Sequence, residues 1–501
     1  MIKTKKVGRL TNVVFVVVLF LVSSIATASE RYIQEKADVS VQNIQHCPLQ
    51  QYVSLGSEHE QGHTVWDVEY SNALMANRVA TDSNNNVILV GIGGAGVDEL
   101  PYAVIAKYGV DGKLKWSDER YALIIPGLIS QVPIIKASAS QASQSTETIF
   151  MEQSYKVCEN IASKQSSMDL ETSDDKELSN VINEYIMKGH QYVEPIFSKD
   201  QGLLKGRWVR FYDVAIDSND NIIVVGEIQH RNTEDIRTIY VIKYDPDGNV
   251  LWDRIYKRYL LNPRDLCTGV AIDSNDNIFI SVRSQEKDSN DYRGWVLKLS
   301  SNNGAKISES IHPGKSLVFY DLAVDLDDNL YIVGYYPSSG AMKVMKYSND
   351  LTLLDEWGPM IRPIEPYAID VDQNSNVIVA GSIGFDGKER QYLAKFSSNG
   401  NLLWINKSNN LGAWRDVVAL SPDVTVVTGS NSGNETAGRF YVGLYDENGM
   451  EFKRFLGGKI TYLQMFFSYG LDVDNNGDIV VAGLRWYAKY QFYMHAMKFY
   501  Q

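Results

Sequence analysis

Short apolar runs rich in Val, Ile and aromatic residues recur along the chain, each broken by a turn of Asn, Asp and Gly. Aligned on an apolar-Asp step they read "VATDSNNNVILVG", "VAIDSNDNIIVVG", "VAIDSNDNIFISV", "LAVDLDDNLYIVG", "IDVDQNSNVIVAG", "VVALSPDVTVVTG" and "LDVDNNGDIVVAG". The anchors are Asp82, Asp217, Asp273, Asp325, Asp372, Leu420 and Asp474, and from Asp217 onward they are 56, 52, 47, 48 and 54 residues apart. A second pair of runs follows each anchor, as in "YVIKYDPDGNVLW" and "YLAKFSSNGNLLW". Alternating β-branched and aromatic positions separated by Asn/Asp/Gly turns are the pattern of hairpin-connected antiparallel strands. Each unit therefore predicts four strands, a to d, and a four-stranded unit repeating at about 50 residues predicts a β-propeller blade.

Seven anchors predict an all-β fold, a seven-bladed β-propeller of four-stranded antiparallel blades. The chain ends at strand c, "HAMKFYQ", while "HTVWDVEYS" precedes the first anchor and carries Trp66 where other d strands carry Trp116, Trp252 and Trp404. The N-terminal strand is thus expected to close the last blade and leave no unpaired edge. The turn-strand "D..DNIIVVG" and the hairpin "KYDPDGNVLW" resemble bacterial SBBP and delta-60 type β-propeller repeats, with NHL-like propellers more distant. That resemblance covers most of residues 63–120 and 207–501 and implies the fold, since propellers of this kind serve many functions. The Leu420 unit departs from the turn pattern, and Val282 stands where other units have the strand-end Gly.

Asp82 and Asp217 are 135 residues apart, so residues 121–206 are extra within the 63–501 propeller. Leu178, Val181, Ile182, Tyr185 and Ile186 fall at helical spacing, which predicts a partly helical, flexible insert on the face of the d–a and b–c loops. At the N-terminus a basic head, the apolar run Val13–Ile25 and Ala26-Thr27-Ala28 describe a signal peptide, 1–28, followed by a lead segment, 29–62. The apolar run falls short of the roughly 20 residues of a membrane span. The chain is therefore expected in the periplasm or outside the cell, with no stable membrane insertion. Loss of Lys3, Lys5, Lys6 and Arg9 with the signal segment makes the formal charge of −13 more negative by four, which disfavours nucleic acid as a partner. Cys47, Cys158 and Cys267 leave at least one thiol unpaired in a monomer, and spacing does not decide which.

Three features bear on chemistry. The Asp-rich turn is not an EF-hand loop: counting from Asp217, the sixth and twelfth positions are Ile222 and Ile228, where the calcium cage needs Gly and a bidentate acid. Its Asp and Asn side chains suit local turn hydrogen bonds instead; "DNNGD", Asp474–Asp478, is the residual candidate for calcium or another divalent cation. The segment "HEQGH" matches a zinc-protease signature in His59, Glu60 and His63, but Gly56, Gly62 and the adjoining strand oppose the helix such a site requires. On the inner strands, Arg78, Asp213, Asp321 and Asp416 stand four residues before their anchors and are the candidate ligand-binding residues at the channel mouth. The b–c loops differ sharply between units whereas the opposite turns resemble one another, as a binding face on a uniform scaffold would. The expectation is a binding or interaction module for a protein or carbohydrate ligand, a monomer and not an enzyme. The alternative is a metal-dependent hydrolase or lyase at the channel mouth.

Overall fold

The computed structural model describes residues 64–71, 73–94, 102–120, 207–230, 237–258, 264–285, 292–314, 316–359, 363–385, 388–431, 439–458, 464–487 and 491–500. The signal and lead segments, the His59–His63 motif, the insert 121–206, Cys47 and Cys158 lie outside these residues. Among the described residues every regular element is a β-strand. After β1 (Thr64–Tyr70), successive antiparallel strands form repeated four-stranded units. These are β2 (Ala73–Thr81), β3 (Val87–Gly93), β4 (Tyr102–Tyr108) and β5 (Leu114–Arg120); β6 (Arg207–Ile216), β7 (Ile222–His230), β8 (Arg237–Tyr244) and β9 (Val250–Tyr256); and β10 (Arg264–Ile272), β11 (Ile278–Gln285), β12 (Tyr292–Leu299) and β13 (Lys306–Ile311). Next come β14 (Val318–Val324), β15 (Leu330–Tyr336), β16 (Ala341–Tyr347) and β17 (Leu353–Trp357), then β18 (Ile364–Val371), β19 (Val377–Phe385), β20 (Lys388–Phe396) and β21 (Leu402–Ser421). β22 (Val424–Asn431), β23 (Phe440–Tyr445) and β24 (Glu451–Gly457) follow on β21, and β25 (Gln464–Val473), β26 (Ile479–Tyr487) and β27 (Gln491–Phe499) take β1 as their outer strand, with Trp66 opposite Lys498. One strand departs from the simple repeat. β21 runs unbroken through Gly412, so its first half is the outer strand of one unit and its second half the inner strand of the next.

The inner strands β2, β6, β10, β14, β18, β21 and β25 each lie against the next, and β25 lies against β2. That closed circuit of four-stranded antiparallel units is a β-propeller-like all-β fold. Because both faces of a unit are covered by neighbours, the middle strands are apolar throughout rather than alternating: Val87 to Gly91 of β3 and Ile223 to Val225 of β7 are all buried. The core is accordingly divided into separate clusters between consecutive units.

The Asp anchors hold the turns by hydrogen bonds to their own backbone. Asp217 Oδ1 accepts from the amides of Asn219 and Asn221, both at 2.9 Å, while Asp220 takes φ of 59°. Three turns also reach the next unit: Ser83, Ser218 and Ser274 donate through amide and hydroxyl to Asp220, Asp276 and Asp328. The ladder lapses where Leu326, 78% exposed, replaces the serine. On the outer strands Trp116 packs on Gly248 of the next unit and Trp252 on Gly304, the indole N–H groups donating to Pro246 O and Ser301 O.

Behind four of the turns a buried lysine of the third strand faces the anchor: Lys107–Asp82 at 2.9 Å, Lys243–Asp217 at 2.6 Å, Lys298–Asp273 at 3.1 Å and Lys395–Asp372 at 2.7 Å; in the Asp325 unit the half-buried Lys346 lies over the Tyr331 ring instead. Lys498 pairs with Asp474 and, at 3.1 Å, with Asp478, so an ammonium group sits between the carboxylates of the "DNNGD" turn. The unit that lacks the anchor lacks the lysine too. Leu420 stands in place of the Asp and buried Leu444 in place of the Lys, and both join one apolar cluster. Replacing both charges together avoids leaving either one buried alone.

Candidate functional site

Every inner strand carries a β-bulge at the same place. The register shifts between Ala76 and Arg78, Phe211 and Asp213, Cys267 and Gly269, Phe319 and Asp321, Pro366 and Ala368, Trp414 and Asp416, and Ser468 and Gly470. A bulge leaves one residue unpaired and re-aims the side chains around it. Two rings follow from it.

The first ring brings together the four charged candidates, Arg78, Asp213, Asp321 and Asp416. The guanidinium of Arg78 gives one nitrogen to each carboxylate: Nε to Asp213 at 3.4 Å, Nη2 to Asp321 at 3.4 Å and Nη1 to Asp416 at 3.1 Å. Nη1 also donates to Tyr469 O at 3.3 Å. Small residues, Gly269, Ala368 and Gly470, alternate with the carboxylates and make the room: a Cβ on Gly269 would lie 2.7 Å from Asp321 Oδ1. Each carboxylate also accepts a backbone amide from the following unit, Asp213 from Val270 at 2.7 Å, Asp321 from Ile369 at 3.2 Å and Asp416 from Leu471 at 2.8 Å. With Asp213, Asp321 and Asp416 only 6–7% exposed, the four side chains hold one another across the axis.

Their electrostatics follow from burial. Desolvation raises the pKa of Asp213 and pushes Asp416 up to about 6, in both cases against the pull of Arg78. Burial together with the neighbouring Asp213 and Asp416 outweighs Arg78 at Asp321, whose pKa stands well above the usual carboxylate range. Two residues further along, Asp370 and Asp472 are raised to about 6 by burial, although each accepts a backbone amide from the next unit, of Ala419 and of Thr81. The point on which three carboxylates converge is filled by a guanidinium, which leaves no room there for a divalent ion ligated at about 2.4 Å. Among the described residues no group of His, Cys, Asp and Glu is arranged to hold a metal. Cys267 is buried and free.

The second ring consists of the bulged residues themselves: Asn77, Tyr212, Thr268, Tyr320, Tyr367, Arg415 and Tyr469, all half-buried. They lie one residue nearer the d–a and b–c loop side than the charged ring, since each inner strand starts there and runs toward its Asp turn. Arg415 stacks on Tyr367, its guanidinium carbon 4.1 Å from the ring centroid. Tyr367 meets Tyr320 edge-on at 6.0 Å. Tyr320 donates to Glu365 Oε1 and Tyr212 to Glu227 Oε1, both at 2.7 Å. On β25, Phe467 is 37% exposed two positions before Tyr469. The aligned sequence shows this ring five positions before each anchor. Simple strand alternation would turn it away from the charged ring; the bulge removes that opposition.

A cavity of about 380 Å³ opens on the Asp-turn side, lined by residues that include Asp217, Lys243, Trp252, Asp276 and Ser301. Its polar groups are already engaged, Asp217 with Lys243, Asp276 with Ser218 and Trp252 with Ser301. The turn-side cavity is therefore a by-product of the joint between units, and the mouth is the better candidate.

The fold and the two rings define the class, a β-propeller-like all-β protein. No protein-family model matches the chain, and no curated protein does. Among solved structures it is similar to polysaccharide lyase Uly1, with 9% identity over 91% of this chain and 95% of that one at a TM-score of 0.43. It is also similar to Sqt1 from Chaetomium thermophilum, with 10% identity over 87% and 98% at 0.43, and to a gluconolactonase from Xanthomonas campestris, with 10% identity over 56% and 90% at 0.32. No activity passes to this chain from likenesses of that size.

Proposed function

We propose that the chain is an exported seven-bladed β-propeller of the SBBP/delta-60 type that acts as a binding module in the periplasm or outside the cell. Its ligand, a protein or a carbohydrate, is taken at the axial mouth on the side of the d–a and b–c loops. The observation that carries this reading is the collar of Tyr212, Tyr320, Tyr367, Arg415 and Tyr469, half-buried at one register on separate units. Aromatic and arginine side chains gathered at one level supply contact area at small entropic cost, and they are the residue types that dominate recognition surfaces. Below the collar, Arg78 and its three carboxylates serve as a rigid floor. A metal-dependent hydrolase or lyase on those carboxylates is the weaker reading, because Arg78 occupies the position such a metal would take.

The test is binding to arrayed glycans and peptides by the exported protein and by Tyr367→Ala and Tyr469→Ala, with Leu326→Ala on the turn side as control. Signal retained by Leu326→Ala and lost by the two mouth variants supports the reading; equal binding by all folded variants overturns it. Mass spectrometry of the exported chain is expected to find Ser29 at its N-terminus.

A further inference from the structure

The mouth holds a cation in an acidic protein. Formal charge over the chain is −13, yet the collar presents Arg415, which has no carboxylate partner among the described residues and whose guanidinium carbon lies 4.1 Å over the centroid of the Tyr367 ring. A stacked guanidinium keeps its in-plane N–H fork free for a planar or tetrahedral anion, and stacking reduces the entropy lost on binding one. Arg283 stands on the same side, its guanidinium 5.4 Å from the Tyr292 ring centroid; burial, the Glu365 carboxylate and Tyr367 raise the Tyr320 phenol pKa, and Arg283 opposes them only in part. Around these cations Tyr320, Tyr367, Tyr469 and Phe467 offer ring faces, while the polar groups of Asn77, Thr268 and Tyr320 are engaged with Phe211 O, Ser281 and Glu365.

Rings that stack on C–H faces and one fork for an anion describe a specific partner. Resting on the binding-module reading above, we propose that the mouth binds an acidic sugar, a pyranose carrying a carboxylate or a sulfate. Its anionic group lies on Arg415 and its ring faces lie on Tyr367 and Tyr469. An acidic peptide would satisfy the fork but leave the collar of rings without matching flat faces.

The experiment is isothermal titration calorimetry of the mature chain with tetragalacturonate and with a chondroitin sulfate tetrasaccharide, using maltotetraose and tetra-aspartate as neutral and non-sugar controls. At least one acidic tetrasaccharide should bind about tenfold or more tightly than either control, and Arg415→Gln and Tyr469→Ala should each weaken it by about tenfold. Arg415→Lys, which keeps the charge but loses the fork, should fall between wild type and Arg415→Gln. Thermal melts of the variants within a few degrees of wild type show that the fold is intact. No binding by either acidic sugar, or equal binding of maltotetraose or tetra-aspartate, overturns the inference. Binding of a control that Tyr469→Ala abolishes and Arg415→Gln leaves unchanged overturns the acidic-sugar assignment alone, whereas indifference to every mouth substitution overturns the site itself.

Discussion

The buried Asp–Lys pairs behind the turns make a sharp prediction, because one unit has already exchanged its pair for leucines. Lys243 and Asp217 are 5% and 1% exposed and 2.6 Å apart. Burial alone would raise the Asp217 pKa, but hydrogen bonds from Lys243, the Asn221 side chain and nearby amides hold it below the ordinary carboxylate value. Lys243→Met leaves that carboxylate buried without its cation, and Asp217→Asn leaves the ammonium without its anion. Removing one partner of a buried pair costs about 3–5 kcal/mol, whereas replacing both groups by neutral ones is often close to neutral. Each single variant should therefore lose about 3–5 kcal/mol, and the double variant about 1 kcal/mol, a coupling of at least ~5 kcal/mol between adjacent sites. Guanidinium chloride titrations of the four proteins of the cycle read this directly. The pH arm gives a second check: in Lys243→Met the unpaired carboxylate should titrate higher, so part of the lost stability should return as pH falls from 7.5 toward 5. The reasoning fails if Lys243→Met costs less than about 1 kcal/mol, or if the double variant costs the sum of the singles.

Arg78→Met should lose about 3–5 kcal/mol at pH 7.5 and recover at pH 5, since it leaves three buried carboxylates facing one another; chemical denaturation at the two pH values checks this. In wild type, Asp370, Asp416 and Asp472 have folded pKa values of about 6 against about 3.9 unfolded. Raised values mean that the folded chain binds more protons between those limits, so their contribution is fully present below about pH 4 and lost as pH rises through 6. The anchors work the other way: Asp82, Asp217, Asp273 and Asp372 are lowered and their contribution is lost in acid. Melting temperature should hence be higher at pH 5 than at pH 7.5, and a monotonic rise from 5 to 7.5 would contradict it. Gly248 has φ of 90°, and a Cβ there would lie 2.7 Å from the Trp116 ring. Gly248→Ala should cost about 1–3 kcal/mol by thermal or chemical unfolding, more than an ordinary surface substitution.

What the sequence determined by itself was local and periodic. The turn "VAIDSNDN" is set by side chains bonding to amides two and four residues away, as Asp217 does with Asn219 and Asn221, so neighbours in the chain suffice to specify it. The strand pattern, the repeat and the placing of Trp66 on a closing outer strand followed from the same periodicity, as did the naming of Arg78, Asp213, Asp321 and Asp416 as one level of the inner strands. Their relation was legible only in space. Residues 78, 213, 321 and 416 meet because the units close on themselves, and whether charges at one level stay solvated, hold a metal or pair with one another depends on distances that no spacing in the chain encodes. The same holds for the bulges, one-residue register shifts that show in the pairing with the next strand and bring Tyr367 and Arg415 to the mouth beside the charged ring. Tertiary structure thus decided that the axial charges hold one another and that the half-buried ring of Tyr212, Tyr320, Tyr367, Arg415 and Tyr469 lies one residue nearer the loops, because packing around a closed ring, rather than strand alternation, sets which side chains share the axis.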